Sequence, residues 1–313
     1  MHAAANNLRG GVSPRNTRLR GQSIIEYVLI IAVIGLVIVF AGPGVAGAIR
    51  NQFNQVTNTV DSGTEGDSFM SAEEKAYKEA MKAITAKEAK DWTLYEQKAA
   101  ATDIAKNGTS SVVYSKAKAA MDSGTTWQVK LTNGETMTYR IIGIGHDDLA
   151  DGSGKAGLTL QTVNSALGMA MINSTATSVG GWEKSAIRER LNNGDFWGLL
   201  PSELSAGIKL VSKATDNTGD GKTGDPSITN DRMFLISSTE IYGDIDADGS
   251  QYELFRSKGV NKENHRSAMM SGAYWTRSTD KSCWCHFRLV FPNGKANPCA
   301  ADREYWFFPC WCF

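Results

Sequence analysis

The longest apolar run of the chain lies close to its beginning. Residues 27–49 are 23 consecutive positions without a charge, and a helix of this length would measure about 35 Å, enough to cross a bilayer. Glu26 stands directly before the run, where an unpaired carboxylate in hydrocarbon would cost on the order of a few kcal/mol. We therefore expect Glu26 to have a partner. Only basic residues carry charge before it (Arg9, Arg15, Arg18 and Arg20), and this bias predicts a cytoplasmic N-terminus and an external body.

A second helical region follows a polar, glycine-containing break at residues 61–67. Ser71 and Glu74 have the spacing of a capping box. Apolar residues then recur at helical spacing through residues 72–106: Tyr77, Met81, Ile84, Trp92, Tyr95 and Ala99. A shorter helix is predicted at residues 111–121. We interpret residues 61–124 as a helical stalk or spacer whose apolar face packs on the first helix or on the next domain.

From residue 125 the pattern changes to alternation. Residues 127–131 and 136–144 alternate on either side of Asn133 and Gly134, which predicts a β-hairpin. Short strands and helices follow, among them a helix at 185–191 and a strand at 232–236. The predicted fold class is α+β, and the predicted divisions are a leader at 1–21, a membrane helix at 22–60, the spacer at 61–124 and a C-terminal domain at 125–313.

The net charge and the positions of the cysteines limit which partners and metal sites the chain is expected to have. The chain has 33 Lys and Arg against 33 Asp and Glu, so it presents no net field for polyanions, and nucleic acid is not a predicted partner. All five cysteines lie in the last 31 residues: Cys283, Cys285, Cys299, Cys310 and Cys312. Three states stay open for them: disulfides with one thiol left over, free thiols, or a zinc site built from the two C-x-C pairs.

The segment GQSIIEY (21–27), after a basic leader and before an apolar helix, resembles the start of a type IV prepilin, most closely the small Flp pilins of Tad pili. The resemblance implies that a prepilin peptidase cleaves between Gly21 and Gln22. It also implies that Glu26, followed by Tyr27, pairs with the N-terminal amine of a neighbouring pilin subunit. Two other interpretations compete: a secretory signal cleaved near residue 48, and a plain membrane anchor.

A second resemblance extends from about residue 127 to the C-terminus. It rests on YRIIGI (139–144), HDDLADGSGKAGLT (146–159), GGW (180–182) with the helix at 185–191, LP (200–201), FLIS (234–237), WTRS (275–278) and FFPCWCF (307–313). These segments resemble a family of uncharacterised bacterial surface domains whose members look C-type-lectin-like. Such folds are similar in shape to formylglycine-generating enzymes and to the variable proteins of diversity-generating retroelements. The resemblance implies a ligand-binding face that mutagenesis rewrites near the C-terminus.

Residues 279–306, here called the tail, fit that expectation. A frame of Phe287, Val290, Gly294, Ala296 and Ala300 alternates with residues of every chemical type. We predict that these interleaved residues bind the ligand: Lys281, Cys283, Trp284, Cys285, His286, Arg288, Phe291, Lys295, Asn297, Cys299, Asp302, Arg303, Glu304, Tyr305 and Trp306. Trp275, Phe287, Trp311 and Phe313 are instead predicted to fill the core, whereas Trp284, Tyr305 and Trp306 supply surface contacts.

Three acidic loops are candidates for calcium binding. Asp244, Asp246 and Asp248 have the spacing of the first half of an EF-hand loop, but Phe255 stands where a bidentate Glu is needed. Residues 216–221 and 147–152 are similar fragments. We interpret all three as solvated turns, and calcium at Asp244, Asp246 and Asp248 stays a second interpretation; no other cofactor is predicted.

Together these features predict a pilus-associated surface adhesin, a minor or tip pilin that displays a diversified ligand-binding domain. Its expected partners are other pilin subunits, the prepilin peptidase, the cytoplasmic membrane before assembly, and a protein or glycan ligand on another cell or phage surface. The expected location is the bacterial cell surface. An enzyme is not predicted; the alternatives are a membrane-anchored or secreted formylglycine-generating-like enzyme, and a purely structural pilus subunit.

Overall fold

The computed structural model describes residues 70–243 and 247–313. The predicted leader and membrane helix, with Gly21, Gln22, Glu26 and Tyr27, lie outside the described residues. Within the described part of the chain, no helix combines the length and the hydropathy that a bilayer crossing requires. Helices and strands are mixed along residues 72–313, which confirms the α+β class.

The helices and strands of the described residues are short apart from the first ones. The helices are α1 (Ala72–Ala86), α2 (Leu94–Asn107), α3 (Tyr114–Ser123), α4 (Ala186–Asn192), α5 (Asp195–Gly198), α6 (Ser202–Ser205), α7 (Ser238–Tyr242) and α8 (Glu253–Ser257). The strands are β1 (Thr126–Lys130), β2 (Thr136–Ile144), β3 (Leu158–Thr162), β4 (Met169–Ala170), β5 (Val211–Thr215), β6 (Ser227–Asp231), β7 (Met233–Phe234), β8 (Tyr274–Thr279), β9 (His286–Val290), β10 (Ala296–Ala300), β11 (Tyr305–Trp306) and β12 (Cys310–Cys312).

The helix predicted at 72–106 is two helices in the structure. The chain leaves the helical path after Ala86, passes through a 3₁₀ turn at Ala89–Asp91 and restarts at Leu94. Thr93 and Glu96 form the capping box that starts α2: Thr93 Oγ1 accepts from the Glu96 N–H at 3.3 Å, and Glu96 Oε2 accepts from the Thr93 N–H at 2.8 Å. These reciprocal bonds satisfy N–H groups that a new helix leaves unpaired, so the periodic apolar pattern continues across a real break.

Two five-stranded sheets and one two-stranded sheet form the β part of the fold. The first sheet has the order β1-β2-β3-β12-β7, and the second has the order β10-β9-β8-β11-β4. The predicted hairpin is confirmed, because Thr126 to Lys130 pair in antiparallel register with Arg140 to Thr136. β5 and β6 form the separate pair. Of the strand predicted at 232–236, only Met233–Phe234 (β7) is a strand in the structure. The helix predicted at 185–191 is confirmed as α4, which Ser185 caps.

Residues 72–124 share one core with the β strands. Residues 72–313 form one compact unit, and Ile84, Trp92 and Ile104 belong to the same buried cluster as Tyr139 and Trp311. The Tyr139 hydroxyl and Gln97 Oε1 are 3.0 Å apart, and Trp127 Nε1 donates to the Ala89 carbonyl at 3.1 Å. The structure therefore differs from the predicted spacer: the apolar face of residues 72–124 packs on the next domain, as one interpretation held, but so closely that no separate spacer exists there.

A buried ionic network joins β8 of the second sheet to β5, to α7 and to the loop that follows β2. Lys213 Nζ lies 2.5 Å from Asp147 Oδ1 and 2.5 Å from Glu240 Oε1, and Arg277 donates two hydrogen bonds to Glu240. All four side chains are at most 4% exposed. Two positive and two negative charges thus compensate one another inside the protein, which buried charges require. Because Arg277 lies in β8, the network also fixes the strand from which the tail departs.

Candidate functional site

The tail leaves β8 and forms β9, β10 and β11 of the second sheet. β9 and β10 pair in antiparallel register, with Phe287 opposite Cys299 and Arg288 opposite Pro298. Strand residues alternate between the two faces, so Phe287 and Leu289 enter the core while His286 and Arg288 stay partly exposed. The frame is therefore fixed by the pairing of β8, β9 and β10.

The interleaved residues lie at the surface. Fourteen of the fifteen are exposed or half-buried, and Cys285 alone among them is buried, at 8% exposure. Phe287, Val290 and Gly294 of the predicted frame are buried, whereas Ala296 and Ala300 are half-buried. Within one segment, buried or half-buried frame residues thus stand beside accessible side chains.

The aromatic residues divide between core and surface. The core prediction is confirmed for Trp275, Phe287, Trp311 and Phe313, which are at most 3% exposed. Trp284 is 57% exposed, the highest value among the large apolar side chains of the tail. An indole in this position offers a large contact area with little conformational entropy to lose.

Tyr305 and Trp306 form β11, which sits between β8 and β4. Trp306 pairs with Tyr274 on one side and with Met169 on the other, and Met169 is 50% exposed. The Tyr305 ring meets the buried Trp275 ring edge-on at 5.5 Å. Trp306 closely approaches Gly272, where a Cβ would lie 2.5 Å from Trp306 Cδ1. Both half-buried aromatics are therefore anchored on one side and accessible on the other.

Two loops from earlier in the chain form hydrogen bonds with the turn at residues 281–285 of the tail. The Trp284 carbonyl accepts hydrogen bonds from the Ser178 N–H at 3.0 Å and from Ser178 Oγ at 2.8 Å. Lys281 Nζ donates to Asp216 Oδ2. Burial alone would raise the pKa of Asp216, but Lys281 and the backbone donors of Gly224 and Thr218 hold it below its ordinary value. The backbone around Trp284 is thus fixed while its side chain points outward into solvent.

A recess opens beside Arg288 of β9. Its volume is about 310 Å³ and its lining consists of Tyr242, Lys262, His265, Arg288, Lys295 and Ala296. Arg288 and Lys295 were predicted to bind the ligand, whereas Tyr242, Lys262 and His265 were not. These three come from segments remote in sequence, and no motif marks them. Among the described lining residues the ionisable side chains are cationic or neutral, which favours an acidic group on a ligand.

The cysteines are free thiols in two separate places. Cys310 and Cys312 lie in β12 of the first sheet and are fully buried. Cys283 Sγ and Cys285 Sγ lie 3.2 Å apart in the tail, and burial, followed by the neighbouring Cys283 thiol, raises the pKa of Cys285 to about 11. The four-thiol zinc site is not formed among the described residues, because the two C-x-C pairs belong to different sheets.

The acidic loops have structural partners. Asp147 does not lie in a solvated turn as predicted; it is 4% exposed and bound to Lys213, Thr159 and Tyr252. Asp216 is likewise buried, and Asp248 Oδ1 accepts from its N–H at 2.7 Å. Asp244 and Asp246 lie outside the described residues. The carboxylate of Asp248 therefore serves a neighbouring loop in the structure.

Comparison with protein families gives one match. Residues 157–313 match the family described as a domain of unknown function (DUF6273). This range is half of the chain, begins just before β3 and includes the whole tail with β12. Neither the curated proteins nor the solved structures compared with the chain give a match. The chain therefore belongs to the DUF6273 family of domains of unknown function.

Proposed function

We propose that this protein is a pilus-associated surface adhesin whose tail binds a protein or glycan ligand on another cell or phage surface. One observation carries the proposal: fourteen of the fifteen interleaved residues are accessible, while the strands that hold them are anchored in a core. Rigid, accessible aromatic side chains beside charged ones are typical of binding hot spots. The ligand would contact Trp284, Tyr305 and Trp306.

The proposed domain is C-type-lectin-like, and its tail is proposed to be diversified by a retroelement. The second sheet supports this idea, because Phe287, Leu289 and Val290 anchor β9 in the core while fourteen of the fifteen interleaved side chains remain accessible. The basic recess at Arg288, Lys262 and Lys295 adds a preference for acidic groups on the ligand. The proposed attachment to the cell is the pilin-like segment with Glu26, which joins the chain to other pilin subunits after cleavage at Gly21.

The binding proposal is tested on cells that assemble the full chain. We expect a triple substitution of Trp284, Tyr305 and Trp306 by Ala to abolish attachment to target cells while fibre number stays the same. A matched control replaces Tyr95 and Val112, which are 50% and 65% exposed and lie outside the tail. Attachment that survives the triple substitution would favour a purely structural pilus subunit.

Two further measurements test the proposed pilin segment and the proposed diversification of the tail. N-terminal sequencing of the mature protein is expected to begin at Gln22, and a start at Ile49 would contradict the pilin segment. The DNA around the gene is expected to hold a near-copy of the segment that encodes residues 279–306, differing mainly at adenines, next to a reverse transcriptase. Absence of such a copy would contradict diversification but not ligand binding.

A further inference from the structure

Three side chains with metal-binding atoms meet at the start of β9. Cys283 Sγ and Cys285 Sγ are 3.2 Å apart, and an imidazole nitrogen of His286 lies within 4.8 Å of both sulfurs. We call these three residues the Cys–His cluster. No second group of three such side chains occurs in residues 70–243 and 247–313.

The backbone holds the cluster together without any help from a ligand. The His286 N–H points to the Cys283 carbonyl at 3.4 Å, which closes the turn, and the Asp280 N–H donates to the His286 carbonyl at 3.0 Å. On the far side, the Ala301 N–H donates to the Cys285 carbonyl at 2.9 Å. Because these backbone hydrogen bonds fix the turn and the start of β9, little conformational entropy would be lost when a ligand binds all three residues.

Polar atoms around the cluster lack hydrogen bonds. His286 Nδ1 is buried and has no hydrogen-bond partner. Asp302 Oδ1, whose charge acts on Cys285, is also buried without one and has only a 3.9 Å ion pair with Arg303. A buried polar atom without a hydrogen-bond partner destabilises the folded state. A cation in the cluster would remove part of that cost.

We propose that Cys283, Cys285 and His286 bind a Zn²⁺ ion with three protein ligands and one open position. Thiolate sulfur and imidazole nitrogen are the donors that zinc prefers, and sites with three protein ligands leave the fourth position to water or to a bound molecule. Two sulfurs in a tetrahedral zinc site are about 3.7 Å apart, so small side-chain rotations suffice to open the 3.2 Å separation. Binding converts both thiols to thiolates and releases their protons to solvent.

The cluster is accessible from solvent on the side of Cys283 and His286. Cys283 and His286 are half-buried, and Trp284 between Cys283 and Cys285 is exposed. A donor atom of an external molecule could therefore reach the ion beside the Trp284 ring. The zinc site stands on the geometry of the cluster alone and does not depend on the adhesin proposal.

The test measures metal binding by the full chain, purified in detergent under anaerobic conditions and reduced with a phosphine. We expect titration calorimetry to show one Zn²⁺ per chain. Co²⁺ in its place should give thiolate-to-cobalt charge-transfer absorption and the visible bands of a four-coordinate ion. Cys283→Ser and His286→Gln should each weaken binding by at least about tenfold, because even residues that only support metal ligands are worth that much.

Cys299→Ser is the matched control, because Cys299 is a half-buried thiol of the same tail outside the cluster. It should bind Zn²⁺ like the unchanged chain. Both test variants replace half-buried side chains, so circular dichroism should show an unaltered fold. The proposal fails if the reduced chain binds no Zn²⁺, if binding is equal in the cluster variants and in the control, or if Cys283 and Cys285 form a disulfide that the phosphine does not reduce.

Discussion

Arg277 donates two hydrogen bonds to Glu240, with Nη1 to Oε2 at 2.5 Å and Nη2 to Oε1 at 2.9 Å, and both side chains are fully buried. The Arg277 guanidinium makes further bonds to the Leu235 carbonyl at 3.0 Å and to Thr215 Oγ1 at 2.8 Å. It therefore ties β8 to β5 and to the segment that follows β7. The tail begins two residues after this point.

Glu240→Gln tests the network. The substitution removes the carboxylate that compensates Arg277, while Lys213 keeps Asp147. Leaving a buried charge without its partner costs about 3–5 kcal/mol. We expect the free energy of unfolding, measured with urea, to fall by that amount. Glu135→Gln in the exposed turn between β1 and β2 is the control and should change it by no more than about 0.5 kcal/mol. Equal effects in the two variants would contradict the role of the network.

The network also predicts loss of stability in acid. Burial alone would raise the pKa of Asp147, but the Lys213 ammonium, the neighbouring His146 and the Thr159 hydroxyl hold it well below its ordinary value. A carboxyl whose pKa is lowered by folding stabilises the fold above its unfolded pKa, about 3.9, and that contribution is lost as the pH falls further. We expect the free energy of unfolding to decline below about pH 4.

Asp147→Asn isolates this contribution. The variant should be less stable at pH 7. Its stability should decline less steeply from about pH 4 to about pH 2 than that of the unchanged chain. Asp148→Asn is the matched control, because Asp148 is 70% exposed and pairs only with the exposed Lys155. A control with the same flattened slope would assign the acid sensitivity to surface charge.

Gly157→Ala tests the contact between α2 and the strands. A Cβ at Gly157 would lie 1.9 Å from the Ala101 carbonyl oxygen, so α2 must move away from β3. We expect the free energy of unfolding to fall by about 1–3 kcal/mol or more. Gly198→Ala is the control, since a Cβ there has no neighbour within 4 Å and the residue lies in a helix; it should be neutral or slightly stabilising.

The fragment 125–313 tests whether the C-terminal domain folds alone. Without residues 72–124 it loses Ile84, Trp92 and Ile104 from the core and exposes Trp127 and Tyr139. We expect it to aggregate or to unfold at a lower temperature than the fragment 72–313, as scanning calorimetry would measure. Equal melting temperatures would restore the interpretation of residues 72–124 as a spacer.

Trp284 in the tail and Trp275 in β8 allow the stability contributions of an exposed and a buried indole to be compared. Trp284→Ala should change the free energy of unfolding by about 0.5 kcal/mol or less, because the side chain is largely exposed. Trp275→Ala should lower it by about 3–5 kcal/mol, because the indole is buried and donates to the Ala170 carbonyl at 2.9 Å. A large loss of stability in Trp284→Ala would show that the tail tip belongs to the core.

Local patterns in the sequence predicted the local parts of the fold. Asn133 and Gly134 between alternating residues predicted the β1–β2 hairpin. Of the predicted tail frame, Phe287, Val290 and Gly294 are buried, whereas Ala296 and Ala300 are half-buried. The break at Thr93 was missed because the apolar repeat continues across it, although Thr93 and Glu96 carry a capping signal as clear as that of Ser71 and Glu74.

Partners remote in sequence could not be predicted. Asp147 and Lys213 are 66 residues apart in the chain, and nothing near Asp147 indicates that its carboxylate is buried. The same holds for Lys262 and His265, which reach the recess beside Arg288 from a loop. A zinc site built from both C-x-C pairs was one of three states left open for the cysteines, because the sequence does not show that β12, with Cys310 and Cys312, belongs to the other sheet.

β12 follows the tail and lies between β3 and β7 in the first sheet, and the Phe313 carbonyl accepts from the Gly157 N–H at 3.0 Å. During synthesis this strand emerges after every residue of the tail. A stop codon or a shifted reading frame within the tail would therefore leave β3 and β7 without the strand between them, and the product would fail to fold. Placement of this interior strand downstream of the tail thus means that only chains translated in frame through residues 279–306 can complete the first sheet.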